Sequence, residues 1–402
     1  MRVALLTADS REVLREYSLA EPSFGTAPEA LIQGFAQTPD AEIHVISCVQ
    51  RPMLSPEKLA PNVWYHGLVV PKIGWLRTGY QGCIRTVRRK LKQLQPDIVH
   101  GQGTERDCAL SAVFSGFPNV LTIHGNMAKL ARVFRSRLGS FNWCAARLEN
   151  FSLQRTLGVF CNSAYTEALV RPRARKVWRV PNAVREPFFT TPKVPAAGVA
   201  ARRCVLLNVG EISPRKRQVE LLTQAGEWHR QGARFELIFV GPPPAPDACG
   251  RRFVELLGPA ERVGYARHAG VKPSNELIAL FDQAGALVHF PSEEAFGLVA
   301  AEALARGLKL FGARVGGIPE IAAGATDAEL FDANDWAGLG IAVLRWTAAG
   351  GPAMASAAQA MRARYLPRVV ARQHLEIYGE ALGCYQALVN RSGPARRRSE
   401  PR

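Results

Sequence analysis

Two glutamates in one apolar stretch are the residues best suited to chemistry in this chain. Glu294 follows a predicted buried strand, Ala286 to Phe290, and Glu302 lies inside an apolar segment. That segment is predicted to be a helix that begins near Gly297 and ends at Gly307. The stretch is therefore a strand, a turn and a helix N-terminus, and a carboxylate inside such an apolar helix needs a partner.

The predicted helix start also offers an anion-binding site at Gly297. Free N–H groups in the first turn and the positive end of the helix dipole favour a negatively charged ligand, and a glycine lets it approach the backbone. A phosphate would fit there. Plainer alternatives are that Glu294 only complements the dipole, and that Glu302 only pairs with a neighbouring cation or caps a loop. The occurrence of all these features together favours the ligand site.

The segment Glu294-Ala-Phe-Gly-Leu-Val-Ala-Ala-Glu302 resembles the Glu, seven residues, Glu signature of retaining glycosyltransferases of family 4. The resemblance implies an α/β protein of the GT-B fold, with two Rossmann-like domains whose parallel sheets face a central cleft. It implies that Glu294 contacts the sugar of a nucleotide-sugar donor and that Glu302 binds the ribose. Backbone amides facing the diphosphate are implied for Phe296, Gly297, Leu298 and Val299.

A group of cations after another predicted strand forms a second candidate phosphate site. The strand is followed by Gly-Glu211-Ile-Ser-Pro-Arg215-Lys216-Arg217 and a helix, where positive charge and free amides add. The segment is similar to the family's Gly-Arg-Leu-Ser-Pro-Glu-Lys-Gly, whose Arg and Lys hold the leaving diphosphate. Lys216 matches, but Glu211 replaces the Arg. Either Arg215 or Arg217 supplies the missing charge, or the donor is handled differently, or transfer activity is lost.

Two histidines follow predicted strands of the first half, at the sheet edge where ligands of α/β proteins gather. His100 and His124 could each be an ordinary core residue. However, Thr-Ile-His124-Gly is similar to the family's first-domain histidine motif, which lies over the donor sugar. The family also has a glycine-rich loop near the first strand that faces the diphosphate and acceptor. That role is implied for Gly25 and Thr26, with a plain tight loop as the alternative.

Paired glycines occur at the end of a later predicted strand. The segment Gly316-Gly317-Ile-Pro-Glu320 also resembles the family pattern. Such glycines permit a close approach of the backbone, and a plain turn is the alternative.

The chain is too long for one ordinary core, so two α/β domains are expected. With the resemblance, residues 1–189 are predicted to form an acceptor-side Rossmann-like domain and residues 190–202 a linker. A nucleotide-sugar-binding Rossmann-like domain is predicted over 203–369. A helix over 370–390 is expected to cross back to the first domain, and the basic tail 391–402 is expected to be disordered.

Composition restricts the partners and the location. The net charge of +17 favours phosphorylated substrates, acidic lipid headgroups or nucleic acid. Nucleic acid is not expected, because the aromatic spacing, zinc motifs and recognition helices of its usual modules are missing. The eight scattered cysteines predict reduced thiols and no zinc site. A start that turns polar too soon for a signal peptide, and the lack of long apolar runs, predict a cytoplasmic protein.

A basic amphipathic helix is predicted from Ile84 to Lys92, with Ile84, Val87 and Leu91 on one stripe. Such a run is usually a solvated helix face. The alternative is contact with an anionic membrane surface, which would place the protein on the inner face of the membrane.

The predicted function is a retaining, metal-independent transfer of a sugar from a nucleotide diphosphate sugar to a hydroxyl of a glycan, a lipid-linked sugar or a small molecule. No cofactor is expected beyond this co-substrate, because cationic side chains and helix amides can stabilise the leaving diphosphate. Lys216, Glu294 and His124 are the predicted catalytic residues. Alternatives are a nucleotide-sugar epimerase, a phosphorylase on the same fold, or a catalytically silent nucleotide-sugar-binding or scaffold protein, which Glu211 keeps open.

Overall fold

Two separate units, each built on a largely parallel sheet, make up the chain. The computed structural model describes residues 1–193, 204–352 and 356–392. The first unit comprises Met1–Cys161, Glu167–Val180 and the chain from Ala371 onward, and the second comprises Asn162–Thr166 and Pro181–Val370.

The first unit contains an eight-stranded sheet. Its strands are β1 (Arg2–Leu6), β2 (Glu42–Val49), β3 (Lys58–Ala60), β4 (Val63–Val69), β5 (Ile98–Gln102), β6 (Asn119–Ile123), β7 (Gly158–Cys161) and β8 (Val177–Arg179). Their order is β3-β4-β2-β1-β5-β6-β7-β8, and only β3 pairs with its neighbour in an antiparallel sense. The central strands are buried along their whole length, as expected where helices cover both faces of a parallel sheet.

Helices alternate with these strands. They are α1 (Ser10–Leu14), α2 (Thr26–Ala36), α3 (Gln81–Leu94), α4 (Asp107–Val113), α5 (Met127–Val133), α6 (Phe141–Leu153) and α7 (Ala164–Val170), of which α7 belongs to this unit from Glu167 onward. The alternation of strand and helix is what a parallel sheet requires, because each crossover must return to the same edge.

The second unit contains a six-stranded, all-parallel sheet. Its helices begin with α8 (Pro187–Thr190), α9 (Gln218–Arg230), α10 (Ala248–Val263) and α11 (Ser274–Gln283), and continue with α12 (Leu298–Ala305), α13 (Ile318–Ala322), α14 (Trp336–Ala348) and α15 (Ala358–Tyr365). Its strands are β9 (Cys204–Val209), β10 (Phe235–Val240), β11 (Ala266–His268), β12 (Ala286–His289), β13 (Lys309–Ala313) and β14 (Ala328–Phe331). The order β11-β10-β9-β12-β13-β14 makes β9 and β12 direct neighbours.

The segments between the two units differ in part from the expected ranges. Residues 181–189 pack with the second unit, because Val184 and Phe188 are buried in its core. Of the predicted linker 190–202, Thr190 ends α8 and residues 194–202 lie outside the described part of the chain. The last helix, α16 (Pro367–Ser392), belongs to the first unit from Ala371 onward. Residues 393–402 of the predicted tail lie outside the described residues.

The last helix is held to the sheet of the first unit by a buried aromatic and imidazole cluster. The Nδ1 atom of His100 lies 2.5 Å from the hydroxyl oxygen of Tyr378 on α16. The ring of His374, also on α16, stacks on Phe160 of β7 with ring centres 4.8 Å apart. His100 is fully buried. It is therefore an ordinary core residue, which was one of the two interpretations of its sequence.

Acid is expected to destabilise the first unit. Burial, with a smaller contribution from His374, holds the pKa of His100 well below its usual range. The unfolded chain therefore takes up the proton first, at a pH of about 6.5. The stabilisation is fully present above that pH and is lost as the pH falls toward the pKa of the folded state. We expect the melting temperature to fall between pH 7.5 and pH 5.5.

The control is a His100→Gln variant, which cannot take up this proton and should lose less of its melting temperature over the same pH interval. Part of the loss of melting temperature should remain in this variant, because burial also lowers the pKa values of His44 and His66 in this unit. A wild-type melting temperature that stays constant or rises on acidification would contradict this explanation.

Candidate active site

The pairing of β9 with β12 brings two chain segments of the second unit to one edge of its sheet. Leu206 lies opposite Ala286 in the parallel register, so both strands end at the same edge. The loop after β9 carries Arg215, and its carbonyl oxygen accepts a hydrogen bond from the backbone N–H of Ser292 at 2.8 Å. The segments that the sequence marked as two phosphate sites therefore lie side by side.

Lys216 and Glu294 form the centre of the site. The Nζ atom of Lys216 lies 2.5 Å from Oε2 of Glu294. The same oxygen lies 3.0 Å from Nε2 of His289, which ends β12. Glu294 is buried, so its carboxylate is fixed by two neighbours. Two of the three predicted catalytic residues thus meet in the structure.

The electrostatics of this centre keep Glu294 ionised. Burial is the largest single influence and raises the pKa of Glu294, but the charge of Lys216 and the hydrogen bond from His289 outweigh it, with Arg215 adding to them. The pKa therefore falls well below its usual range. Burial and the charge of Lys216 lower the pKa of His289, so its ring is uncharged at neutral pH and donates Nε2–H to the carboxylate.

His289 was missed by the sequence analysis. The signal that could have found it is its place at the carboxyl end of an apolar strand, just before the turn that carries Glu294.

The two arginines that flank Lys216 have different surroundings. Arg215 donates to the backbone carbonyl of Glu293 at 3.0 Å, and its guanidinium lies 3.9 Å from Oε1 of Glu294. Arg217 donates to the carbonyl of Ala333 and lies over the ring of Trp336, 4.8 Å from its centre. The structure therefore brings Arg215, and not Arg217, to the carboxylate of Glu294.

A segment far away in sequence supports the turn that carries Glu294. Ser163 donates its hydroxyl hydrogen to the carbonyl of Ala295, with the two oxygens 2.6 Å apart. Burial, followed by the charge of Glu293 and a hydrogen bond to it, raises the pKa of Tyr165 to about 12, so the phenol stays protonated. The backbone N–H of Ala164 donates to Oε1 of Glu320 at 2.6 Å. Sequence patterns did not single out Ser163, Ala164 or Tyr165, because only the tertiary fold places them beside the turn.

The N-terminus of α12 has the properties of an anion-binding site. Gly297 precedes the helix with φ of 101°, a conformation that favours glycine. The N–H groups of Ala300 and Ala301 both donate to its carbonyl, so the amides of Leu298 and Val299 precede the first intrahelical bonds. Among the described residues, no side chain caps this end of the helix.

The side chain of Phe296 lies in the core of the second unit, and the predicted contact of its backbone amide with a diphosphate stays a prediction. Its side chain is buried, and its ring packs edge-on against Tyr365, with ring centres 5.7 Å apart.

The two glycines after β13 support the Glu294 turn through their small size. A Cβ atom on Gly316 would lie 1.5 Å from the carbonyl oxygen of Glu294, and one on Gly317 would lie 2.7 Å from that of Phe296. The N–H of Gly317 donates to the Glu294 carbonyl at 3.2 Å. The sequence predicted that another group approaches the backbone of these glycines closely. In the structure that group is the protein's own backbone.

A Gly316→Ala substitution is expected to displace the Glu294 turn and lower the melting temperature by several degrees. The matched control is Gly324→Ala. Both glycines have positive φ, 56° and 76°, so both variants share a backbone strain of roughly 1–2 kcal/mol. Only at Gly316 would the added Cβ clash with backbone atoms, since nothing lies within 4 Å of a Cβ at Gly324. Equal losses of melting temperature in the two variants would contradict the proposed packing.

Glu302 has a cationic partner within the second unit. Its Oε1 lies 3.3 Å from Nη2 of Arg185, and Nη1 of Arg185 donates to the hydroxyl of Ser274 at 2.8 Å. Glu302 lies on the second turn of α12 and is buried. The carboxylate thus has the partner that its burial demands, as the plainer sequence alternative expected, and its contact with a ribose stays a prediction.

His124 lies in the first unit, one residue beyond the end of β6. Its Nε2 atom is 3.0 Å from Oε1 of Gln102, and Gln102 also contacts His100. Burial lowers the pKa of His124, with a smaller opposing influence from Glu105, so its ring is neutral at pH 7. The structure therefore fixes the ring of His124 through Gln102, which the sequence did not single out.

Gly25 and Thr26 form the start of α2 in the first unit. Both are exposed, and among the described residues no side chain caps this helix. The φ of Gly25 is −57°, so no left-handed conformation demands a glycine there. An exposed helix start can bind an anion, and the assigned contact with the donor stays a prediction.

Three groups of metal-ligand type meet in the core of the first unit, although the sequence predicted scattered thiols. Cys48, Cys83 and Asp107 are buried, and their ligand atoms lie within 4.8 Å of one another. The hydrogen bond with Cys83, and then burial, raise the pKa of Cys48 well above its usual range, and burial raises that of Asp107. The cluster thus consists of two hydrogen-bonded thiols in the core, beside a carboxyl group.

Family models match both halves of the chain. Residues 29–186 match the model described as Glycosyltransferase Family 4, and residues 194–363 match the model described as Glycosyl transferases group 1. The two matched segments do not overlap and follow each other along the chain. The chain therefore belongs to the family 4 glycosyltransferases, and the resemblance given by the Glu294 to Glu302 segment is confirmed.

Solved structures of low sequence identity share the fold. The sucrose-phosphate synthase of Thermosynechococcus elongatus has a TM-score of 0.74 and 17% identity, with 96% of this chain and 100% of that chain covered. HepE of Anabaena in complex with UDP-glucose has a TM-score of 0.70 and 14% identity, with 94% and 100% covered. The predicted α/β GT-B fold with two parallel-sheet domains is confirmed.

A curated relative is similar over a shorter segment. The D-inositol 3-phosphate glycosyltransferase of Corynebacterium glutamicum (strain R) is 36% identical over 128 residues, which are 30% of this chain and 30% of that protein. The alignment thus spans less than a third of the length of that relative.

Proposed function

We propose that this protein transfers a sugar from a nucleotide diphosphate sugar to an acceptor hydroxyl. The observation that carries the proposal is the Lys216–Glu294 pair next to the N-terminus of α12, which no side chain of the described residues caps. A cation and free amides suit a diphosphate, while an ionised carboxylate suits sugar hydroxyls. Membership of family 4 and the similarity of the fold to HepE, which binds UDP-glucose, support a nucleotide-sugar donor.

In the proposed reaction the bond between the anomeric carbon and the diphosphate oxygen breaks as the acceptor oxygen bonds to the same face of the sugar. The leaving diphosphate carries away the electron pair and takes the proton of the acceptor hydroxyl, so the configuration is retained. Lys216 and the amides of Leu298 and Val299 stabilise the charge that develops on the leaving group. Glu294 orients the sugar, and His124 is proposed to contact it, as its motif implies. No protein nucleophile and no metal ion is required.

Loss of either member of the central pair is expected to reduce turnover sharply. Lys216→Ala and Glu294→Ala should each lower kcat by roughly a hundredfold or more, because each removes a charged contact to the transition state. The assay is release of nucleoside diphosphate from the nucleotide sugar. Matched controls are Lys272→Ala and Glu276→Ala, which break another Lys–Glu pair on the surface of the same unit. Wild-type turnover in Lys216→Ala or Glu294→Ala would refute the assignment.

Arg215 is proposed to supply the charge that the family places at the position of Glu211. Its contact with Glu294 supports this choice, whereas Arg217 is engaged by Ala333 and Trp336. The family pattern has an Arg at the position of Glu211 and a Glu at the position of Arg215. In this chain the positive and the negative side chain therefore stand at exchanged positions of the loop. Glu211 is exposed.

Substitution of Arg215 and of Arg217, one at a time, tests which of the two binds the diphosphate. Arg215→Gln is expected to weaken binding of the nucleotide sugar by roughly 10- to 100-fold, the typical worth of a hydrogen bond to a charged group. Arg217→Gln should change it little. Calorimetric titration with the donor measures both. A larger loss in Arg217→Gln would transfer the role to Arg217, and no loss in either would favour a site that does not rely on these cations.

A silent nucleotide-sugar-binding or scaffold protein is a second candidate, favoured by Glu211 in place of the usual arginine. It predicts binding of the donor without release of nucleoside diphosphate in the presence of any acceptor.

The acceptor is proposed to be a glycan, a lipid-linked sugar or a small molecule that carries phosphate, since the net charge of +17 favours anionic partners. The phosphorylated inositol in the name of the curated relative supports a phosphorylated acceptor. A cytoplasmic protein in peripheral contact with an anionic membrane is also proposed. In the part of the chain that the structure describes, no helix has both the length and the apolar character needed to cross a bilayer.

The helix α3 offers charge to such a membrane but little apolar surface. Its stripe of Ile84, Val87 and Leu91 is buried in the core of the first unit. Its arginines and lysines are therefore the solvated face that the plainer sequence interpretation expected.

A further inference from the structure

The connection between α5 and α6 in the first unit exposes large apolar side chains. We call residues 129–141 the tip. Within it Val133, Phe134, Leu138 and Phe141 are 37%, 43%, 81% and 46% exposed. Exposed apolar residues are common singly, but four within nine positions of one turn form a patch that marks an interaction surface.

The same residues are surrounded by positive charge. Four exposed cations lie among them: Lys129, Arg132, Arg135 and Arg137. No acidic residue occurs between Met127 and Leu148 in the sequence. The tip therefore combines a cationic and an apolar surface without any compensating carboxylate.

The base of the tip is anchored by a buried carboxylate. Glu149 on α6 is buried, and its carboxylate accepts hydrogen bonds from the backbone N–H of Met127 at 3.0 Å and from the hydroxyl of Thr104 at 2.8 Å. It also pairs with Arg173 at 3.0 Å. The acidic residue nearest to the tip is thus used to hold α5 and α6 together and does not neutralise the tip.

Two cations, one on α6 and one just after it, lie over aromatic rings. The guanidinium of Arg147 is 4.2 Å from the centre of the Trp143 ring, and that of Arg155 is 3.6 Å from the centre of the Phe151 ring. These side chains line a pocket of about 520 Å³ on α6. Arg155 also donates to the backbone carbonyl of Phe151 at 3.3 Å, and the remaining N–H groups of a guanidinium that lies over a ring can bind a phosphate.

We propose that the tip docks on an anionic lipid bilayer, with its cations at the headgroups and Phe134 and Leu138 in the acyl boundary. Charge complementarity supports a lipid surface, because anionic headgroups attract clustered Lys and Arg. The intermixed, exposed apolar side chains favour a bilayer over an acidic protein, since they can enter a fluid interface without a matching groove. This proposal rests on the proposed peripheral membrane contact and moves it from α3 to the tip.

The test compares two variants that remove the same charge from different surfaces. One carries Arg132→Gln, Arg135→Gln and Arg137→Gln in the tip. The other carries Arg85→Gln, Arg88→Gln and Lys92→Gln on the exposed face of α3, which is the matched control. Partition onto sucrose-loaded vesicles of phosphatidylglycerol and phosphatidylcholine is measured by sedimentation at about 0.1 M salt, with pure phosphatidylcholine as the uncharged reference.

We expect the wild-type protein to bind only the anionic vesicles. The tip variant should bind about a hundredfold more weakly, at roughly fivefold per cation near the surface, and the α3 variant should retain most of the binding. A Phe134→Ser, Leu138→Ser variant keeps every charge and should lose the binding that remains at 0.5 M salt. Leu138→Trp should show a blue-shifted emission with anionic vesicles. Unchanged melting temperatures confirm that these variants fold.

Three outcomes overturn the proposal. They are equal losses in the tip and α3 variants, full binding by the Phe134→Ser, Leu138→Ser variant, and no binding of the wild type to anionic vesicles. Binding to polyglutamate as strong as to vesicles, with no need for Phe134 and Leu138, would instead identify an acidic polypeptide as the partner. Vesicle binding needs no nucleotide sugar, so failure of this proposal and failure of the proposed transfer activity are distinguishable.

Discussion

The ion pair between Lys216 and the buried carboxylate of Glu294 is the interaction on which the site depends. A carboxylate in a buried position is tolerated only with a partner, and here the cation comes from the loop after β9 while the anion follows β12. The direct pairing of these two parallel strands is what lets the two loops meet. His289 completes the arrangement from the end of β12 itself. A change in strand order would separate Lys216 from Glu294 and His289.

The turn that carries Glu294 has no regular secondary structure, so other segments must fix its shape. Gly317 donates to the Glu294 carbonyl, and the absence of a side chain at Gly316 makes that approach possible. Ser163 holds the next carbonyl, that of Ala295. Such support is typical of sites in which the orientation of a charged group is set before the ligand arrives. It leaves the first amides of α12 uncovered by any capping side chain of the described residues.

Local patterns in the sequence predicted two α/β domains and two candidate phosphate sites, and the resemblance to family 4 supplied the GT-B fold and the roles of Lys216 and Glu294. Apolar runs alternate with helical segments, and Lys216 and Glu294 each follow a predicted strand at the edge where ligands gather. It could not choose between Arg215 and Arg217, since both flank Lys216 and only the positions of Glu294 and Trp336 separate them. The sequence also could not predict the roles of Ser163 and Arg185, because each contacts a residue more than a hundred positions away in the chain.

Hydrogen–deuterium exchange with and without a nucleotide sugar tests most directly whether the donor docks at the start of α12. A screen of UDP-, GDP- and ADP-sugars by thermal shift first identifies a stabilising donor. With that donor bound, exchange should slow in peptides that cover Phe296 to Val299 and the loop that contains Lys216. In the Lys216→Ala variant the protection at α12 should be lost at the same donor concentration. Protection elsewhere, with both segments unchanged, would contradict the central claim.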